Sequence, residues 1–476
     1  MAAKPVSAAL LAALLAAVAA PLSAAPGRRA VTIDDLYRVK GVGSPAISPD
    51  GRGVAFTVST TDLPAVKRWT NLWRVDADGK NARALTVLDK SDTSPLFSPD
   101  GTTLAFLSTR SGSPQVWFLP VAGGEPEKKT DVPGGVGAYR FTPDGRRLLL
   151  VAEVWPACGA DLDCNRKKDE AMEKGKMRAV VADSLFVRRW DSWEDGKRTH
   201  VLRMDLADPK APLVDLTPGD WDSPAFSVGG PEWDVSPDGR ELVFTSNRDA
   251  SPASSTNTDV FVVPVDGTPE QLKAPKNLTA KNPAFDGSPR YSPDGRSIGF
   301  RMQRTPGYES DRFLLALLDR ATGGVRVLTE TFDSWVGDFR SLPDGRRVFF
   351  LADIKGRTPL FDLDLASGKI QTATATGHVD AFEIAPDGTW AVGVRNRSGL
   401  SGLVRVDLAT GAVSELTTPS AEEVFAWPRV SPDGATLAFM VHRGGRWRVV
   451  LRGLADGRER ELATPAGTLV APGVTT

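Results

Sequence analysis

The chain has 476 residues, about three times a typical domain length, yet repeat proteins grow by adding units and one large closed domain is allowed. Its 58 basic and 59 acidic residues give a formal net charge of −1. Such a balance provides no overall field to attract nucleic acid or an anionic membrane, and neither partner is expected.

The first 25 residues have the pattern of a secretory signal peptide. Lys4 precedes an apolar run, Ala8 to Ala20, and the small residues Ser23 to Ala25 follow. The run is too short to span about 30 Å of hydrocarbon, so a stable membrane anchor is not expected. The sequence therefore predicts cleavage near Ala24 or Ala25 and an exported protein, periplasmic or secreted, with residues 26–476 as the mature domain.

A Pro-Asp-Gly turn organises the rest of the chain. Each copy lies between two short and mostly apolar segments, as expected for a β-hairpin in which Pro presets φ and Gly takes a positive φ. A third alternating segment and a fourth, short one ending in Leu-Thr follow most copies. Four strands in about 40 to 50 residues are typical of a propeller blade. The eight turns begin at Pro49, Pro99, Pro143, Pro237, Pro293, Pro343, Pro386 and Pro432.

The sequence thus predicts an all-β fold, a β-propeller of about eight four-stranded blades, with seven left open. The interval from Asp144 to Asp238 is 94 residues and holds either a degenerate ninth blade or an insertion. We favour an insertion at about 156–185, in which Asn165 to Leu185 forms a charged helix. The only two cysteines, Cys158 and Cys164, are predicted to form a local disulfide that constrains this insertion.

Motifs of catalysis and cofactor binding are incomplete in this sequence. Gly295-Arg296-Ser297-Ile298-Gly299 matches a nucleophile elbow in letters only, because Gly295 belongs to a repeat turn and Ser297 begins the next strand. Asp76-Ala77-Asp78-Gly79 resembles the start of a calcium loop but lacks the later Glu. We predict no catalytic residue, metal site or cofactor. Tryptophans such as Trp193, Trp233 and Trp335 form either a binding face or packing between blades.

Four segments resemble the non-catalytic propeller of the prolyl oligopeptidase family, particularly its dipeptidyl-peptidase and acylaminoacyl-peptidase-like members. These segments are Val187 to Arg198, Gly229-Gly230, Ser254 to Val263 and Gly307 to Arg312. The resemblance implies a propeller that limits access to a serine peptidase and holds the substrate's N-terminal end. Family members continue into an α/β-hydrolase domain, and the 43 residues after Asp433 belong to the last blade, so we expect this chain to lack that domain and activity of its own.

The resemblance also suggests where a substrate ammonium would bind, since a desolvated charge needs an opposite partner. The candidates are Glu309, Asp311 and Arg312, with Arg189 behind them; the alternative is an ion-pair network between blades. Expected partners are a peptide substrate or a protein, including a separate hydrolase subunit. Two further hypotheses remain: a periplasmic binding scaffold similar to the propeller of TolB proteins, and an enzyme with unrelated chemistry at the propeller axis.

Overall fold

The structure is a computed structural model of the whole chain, and the description below covers the parts of the chain that it defines. These are residues 40–77, 80–176, 185–189, 191–208, 210–226, 231–374, 378–443 and 446–461, with the single positions 33, 37 and 182. The predicted signal peptide and its cleavage site lie outside these residues.

Eight antiparallel four-stranded sheets confirm an eight-bladed propeller. Blades 1 to 4 comprise β1 (Gly41–Ile47), β2 (Gly53–Asp62), β3 (Lys67–Asp76), β4 (Arg83–Ala84); β5 (Asp92–Phe97), β6 (Thr103–Ser108), β7 (Gln115–Pro120), β8 (Glu127–Lys128); β9 (Ala138–Phe141), β10 (Arg147–Val154), β13 (Arg198–Asp205), β14 (Val214–Asp215); and β15 (Trp233–Val235), β16 (Glu241–Ser246), β17 (Asp259–Pro264), β18 (Lys276–Asn277).

Blades 5 to 8 follow the same order. They comprise β19 (Asp286–Tyr291), β20 (Ser297–Met302), β21 (Leu314–Asp319), β22 (Val325–Val327); β23 (Val336–Ser341), β24 (Arg347–Ala352), β25 (Leu360–Asp364), β26 (Ile370–Thr372); β27 (His378–Ile384), β28 (Trp390–Arg397), β29 (Leu400–Asp407), β30 (Val413–Glu415); and β31 (Val424–Val430), β32 (Thr436–Arg443), β33 (Arg446–Gly453), β34 (Glu459–Glu461). Blade 3 also carries α1 (Leu162–Lys174) and the hairpin β11 (Arg188–Arg189) and β12 (Ser192–Trp193), and blade 4 carries a 3₁₀ turn (Pro252–Ser254) and α2 (Pro269–Lys273).

The apolar core is divided among the interfaces between blades. Eight clusters of buried side chains each join two neighbouring blades, because each blade buries one face of its sheet against the preceding blade and the other face against the following blade. The cluster that joins blade 8 to blade 1 packs Met440 and Trp447 against Phe56 and Val58. The ring is therefore closed by side-chain packing, and among the described residues neither end of the chain lends a strand to the other end's blade.

Side chains around the Pro-Asp-Gly turns explain why that signal is so regular. In blade 4 the Ser236 hydroxyl donates a 2.6 Å hydrogen bond to Asp238 and accepts one of 2.9 Å from the Glu241 amide. The Ser236 hydroxyl and the Arg240 amide hold the pKa of Asp238 below its usual value. In blade 5, Ser297 takes the place of Glu241. It is the first residue of β20, and its amide donates to Ser292 Oγ at 2.9 Å. This placement confirms that Gly295 belongs to a repeat turn and that Ser297 begins the next strand.

Candidate functional site at the loop face

The two ends of the ring differ in the length of their loops. In an antiparallel blade the turn between strands 1 and 2 and the turn between strands 3 and 4 lie at one end, which we call the turn face. The loops between strands 2 and 3 lie at the opposite end, which we call the loop face. The long connections of blades 3, 4 and 5, residues 155–197, 247–258 and 303–313, all lie on the loop face. This end of the ring carries the variable part of the molecule.

The insertion of blade 3 is held by a disulfide and by one buried amide. Cys158 and Cys164 are bonded, which confirms the predicted pair. Asn165 is buried; its side-chain amide donates to the carbonyls of Gly159 and Asp161 at 2.9 and 2.8 Å, and its oxygen accepts from the Trp155 amide at 2.8 Å. These bonds fix the start of the helix to the end of β10.

The predicted limits of that helix are corrected at both ends. The helix begins at Leu162 because the Asp161 carboxylate caps it, accepting from the Cys164 amide at 3.0 Å. It ends at Lys174, since Gly175 leaves the helical conformation with ψ of 140°. Leu185 is exposed and precedes the β11–β12 hairpin, so it is outside the helix.

The loops of blades 4 and 5 meet beside an open cavity of about 410 Å³ on the surface. The Gly307 amide donates to Thr256 Oγ1 across the two blades at 2.9 Å. Asp249 lines the cavity, and its carboxylate accepts from Ser255 Oγ at 2.5 Å and from Asn257 Nδ2 at 3.0 Å. The lining is rich in hydroxyl groups, with an acidic group fixed at its edge.

The residues predicted for substrate binding take different roles in the structure. The Asp311 carboxylate accepts from the amides of Arg304, Thr305 and Arg312 at 2.7 to 2.9 Å, and so shapes its own loop. The amide hydrogen bonds hold the pKa of Asp311 below its usual value, although partial burial opposes them. The Arg312 guanidinium donates to the Phe332 and Glu330 carbonyls at 2.6 and 3.0 Å, which ties blade 5 to the link that follows it.

Glu309 is exposed and follows Gly307, which lines the cavity, by two residues; its backbone carbonyl accepts from Gln303 Nε2 at 3.0 Å. Among the described contacts its carboxylate has no partner. Arg189 lies in β11, and its side chain is outside the described part of the chain. A role of these four residues in substrate binding stays a prediction.

A cluster that sequence reasoning missed lies beside the first strand of blade 5. The rings of Phe285, Phe313 and Trp335 pack edge to face with centroids 5.5 and 5.2 Å apart, and Trp335 is 46% exposed. The Arg301 guanidinium lies 4.9 Å from the Phe313 centroid and donates to Ser288 Oγ at 2.9 Å. Trp335 is one of the tryptophans predicted to form either a binding face or packing between blades; its ring neighbours belong to the preceding blade, and no sequence spacing relates them.

Ser288 connects Arg301 to a buried acid. With φ of 53°, Ser288 sits in a β-bulge that directs its amide and hydroxyl to the Glu232 carboxylate of blade 4, at 2.8 and 3.2 Å. Glu232 is only 4% exposed. This network fixes Arg301 under the aromatic rings and leaves the exposed face of Trp335 as an apolar contact surface.

Blades 2 and 5 carry an aspartate and an arginine at equivalent positions, but only blade 2 pairs them. In blade 2, Arg110 Nη2 donates to both oxygens of the fully buried Asp92 at 3.0 and 2.9 Å, and Arg110 Nε donates to Ser108 Oγ at 2.8 Å. The residues at the same places in blade 5 are Asp286 and Arg304, but Arg304 pairs instead with Glu330, which is exposed. Asp286 is fully buried, one of its oxygens has no hydrogen-bond donor, and burial raises its pKa to about 8.

No helix among the described residues is long and apolar enough to cross a membrane. The four-residue motif that begins at Asp76 is described only in part, since residues 78 and 79 lie outside the described ranges.

Comparison with known proteins decides the family. The profile of the TolB beta propeller domain matches residues 32–155 and 270–474. The chain belongs to this family. The stretch between the two matched parts contains the insertion of blade 3 and the long loop of blade 4.

Curated relatives are peptidases, and this chain spans about half of their length or less. Dipeptidyl-peptidase 5 of Porphyromonas gingivalis is 27% identical over 338 residues, which are 70% of this chain and 48% of that protein. The uncharacterized peptidase YuxL of Bacillus subtilis is 29% identical over 243 residues, or 50% of this chain and 34% of that protein. These relatives confirm the family resemblance inferred from the four segments.

A solved structure shows the same fold. The uncomplexed acylaminoacyl peptidase of Pyrococcus horikoshii superposes with a TM-score of 0.53 at 15% identity, over 87% of this chain and 58% of that one. At this identity the likeness concerns the propeller fold alone.

Proposed function

We propose that this chain is the substrate-selecting propeller of a secreted serine peptidase similar to dipeptidyl-peptidase 5. The observation that carries the proposal is the 27% identity to that enzyme over 338 residues, at a length that matches only about half of it. The loop face supports it, because three neighbouring blades extend their longest loops on the same side of the ring. Loops on a rigid scaffold are where binding residues concentrate.

We propose that the cavity between the loops of blades 4 and 5 takes the N-terminal end of a peptide. Asp249 places a carboxylate in the lining of this cavity, the exposed Glu309 lies two residues from the lining residue Gly307, and an ammonium group is the cation that would pair with them. Hydroxyl groups of Ser254, Ser255 and Thr256 surround the site and can accept or donate hydrogen bonds to a peptide backbone.

Peptide binding by titration calorimetry tests this site. Glu309→Gln removes one exposed charge without removing a described contact, and we expect it to weaken binding of a peptide with a free N-terminus at least threefold. Glu125→Gln is the matched control, because Glu125 is an equally exposed acid on the turn face. Equal losses in both variants, or unchanged binding in Glu309→Gln, would contradict the assignment.

The peptidase link is tested on the native gene product by fluorophosphonate labelling together with intact mass. A labelled species that is heavier than this chain by a hydrolase domain supports the proposal. Labelling of a separate subunit that co-purifies with the chain supports it in another form. An unlabelled product without a hydrolase partner contradicts it.

A TolB-like binding scaffold without any link to proteolysis is the second candidate. The family profile favours it, since this profile describes a propeller domain. It matches blades 1, 2 and 5 to 8 and only parts of blades 3 and 4. A native product that is not labelled but still binds peptides or a protein at the loop face would support this second function.

We also propose that the protein is exported and loses its first 24 or 25 residues. The disulfide between Cys158 and Cys164 supports this, because such bonds persist in oxidising compartments. N-terminal sequencing of the mature protein should find Ala25 or Pro26 as the first residue. A retained Met1 would contradict export by this signal.

A further inference from the structure

Charged side chains occupy equivalent positions on the first strands of six blades. Each first strand is an edge of its sheet, and first strands contact each other between blades 1 and 2, 4 and 5, and 7 and 8, which places this edge toward the axis where the blades converge. On each first strand, the residue three positions before the turn proline occupies an equivalent place. From blade 1 to blade 8 these residues are Ala46, Leu96, Arg140, Asp234, Arg290, Arg340, Glu383 and Arg429.

Most of these charges are paired between blades. Arg140 Nη1 lies 2.5 Å from Asp234 Oδ1, and the other Asp234 oxygen accepts from the Tyr291 amide at 3.0 Å. Arg429 Nη1 lies 2.9 Å from Glu383 Oε2. In blades 3 and 4, and again in blades 7 and 8, each guanidinium therefore has its own carboxylate.

Blades 5 and 6 depart from this balance. Arg290 and Arg340 share a single carboxylate, Asp338, which is hydrogen-bonded to Arg340. The nearest approach of Arg290 to Asp338 is 3.6 Å, from Nη2 to Oδ1, which is too long for a hydrogen bond. No described contact of the Arg290 guanidinium is a hydrogen bond, and its Nε is buried without an acceptor.

The charge count around Arg290 is unequal. Arg140, Asp234, Asp338 and Arg340 all act on it electrostatically, which gives three guanidinium groups for two carboxylates. The side chain of Arg290 is 28% exposed and that of Arg340 is 38% exposed, so both are partly shielded and partly accessible to solvent. One positive charge is left without a partner in a confined and partly desolvated place, where such a charge is costly.

We propose that the axis between blades 5 and 6 binds a carboxylate group of a ligand on Arg290 and Arg340. A carboxylate supplies one negative charge, which equals the excess, and its two oxygens match the planar fork of a guanidinium. The C-terminus of a short peptide and an acidic side chain carry the same group. This site lies at the axis and does not depend on peptide binding at the loop face.

Titration calorimetry with N-acetyl-trialanine and its C-terminal amide tests the proposal on the full chain at low salt. The free acid should bind at least tenfold more tightly than the amide. N-acetyl-Ala-Glu-Ala-amide distinguishes the sources: binding equal to that of the free acid shows that an acidic side chain serves as well, and weaker binding assigns the site to a peptide C-terminus. Equal binding of free acid and amide, or no binding of any carboxylate, would overturn the proposal.

Variants locate the site. Arg290→Gln should lower the affinity for the free acid at least tenfold, whereas Arg429→Gln, which removes a paired guanidinium from the same ring, should leave it unchanged. Because the Arg290 guanidinium donates no hydrogen bond among the described contacts, its replacement should also leave the melting temperature near that of the parent protein. If Arg290→Gln fails to fold, Arg290→Lys keeps the charge, loses the fork and should weaken binding to a lesser extent. Unchanged affinity in a folded Arg290 variant would refute the assignment.

Discussion

The turn face and the loop face of this ring are built from the same strands but obey different constraints. On the turn face, the same Pro-Asp-Gly geometry recurs in every blade, and six of the eight turns place a Ser or Thr hydroxyl on the turn aspartate. On the loop face, blades 3, 4 and 5 each carry a different loop. Repetition thus marks the face that is built from one recurring turn, and variation marks the face on which we place ligand binding.

The comparison between blades 2 and 5 shows the same contrast within one motif. Asp92 and Arg110 are paired and buried, whereas Asp286 and Arg304 have separated. Asp92→Asn should therefore destabilise the protein by about 3 kcal/mol, because it leaves the largely buried Arg110 without its anion. Urea denaturation measures this loss. A loss below about 0.5 kcal/mol would contradict a structural role for this pair.

The stability of the protein should fall when a side-chain atom is added on the turn face at a point where turns of neighbouring blades are in contact. Gly388 has φ of +67°, and a Cβ there would lie 2.9 Å from Pro343 Cδ of the preceding blade. Gly388→Ala should cost about 3 kcal/mol from backbone strain plus this contact. Gly411→Ala, in the same blade with φ of +72° but open space around it, should cost about 1 kcal/mol and isolates the strain. Equal losses in the urea midpoints of the two variants would show that the turns do not pack.

Asp286 should make the stability of the protein fall as pH rises, whereas a carboxylate paired with a cation makes stability rise with pH. Burial raises its pKa to about 8 from 3.8, so the native state keeps a proton that the unfolded state has released. The stability contributed by the neutral acid is fully present below about pH 4 and is lost as pH rises toward 8. Asp286→Asn should remove this loss, so that its stability relative to the parent protein increases from pH 5 to pH 8. A difference that is constant over this range would contradict the raised pKa.

Removal of the disulfide should have the smallest effect on the stability of the ring. Replacing Cys158 and Cys164 by serine should lower stability by about 2 kcal/mol or less, because the closed loop is short and local. We expect proteolysis to become faster between residues 155 and 176, with little change in the main unfolding transition. Unfolding of the whole ring on reduction would contradict this local role.

Much of the fold was predictable because each Pro-Asp-Gly turn is a local signal with a local cause. Blade number followed from counting these turns, although the 94-residue interval left a ninth blade open until the structure showed a helix and a hairpin there. The limits of the helix were wrong because Asp161 and Gly175 set them, and neither was considered as a cap.

The candidate sites were harder to predict, because their residues meet across blades. Arg140 and Asp234 are separated by 94 residues in sequence and lie 2.5 Å apart. The side-chain rotamer of Arg304 decides which carboxylate pairs with it, and no sequence pattern distinguishes Arg304 from Arg110. Asp311 and Arg312 were chosen for their charge, and the structure shows that their polar groups bind their own loop and the next link.

We place the ligand-binding side of the ring at the loop face of blades 3 to 5. Hydrogen–deuterium exchange with and without an N-terminally free peptide at saturating concentration tests this placement most directly. We predict slower exchange in residues 247–258 and 303–313 and no change in the eight Pro-Asp-Gly turns. Protection of the turns, with none in these two loops, would contradict the account.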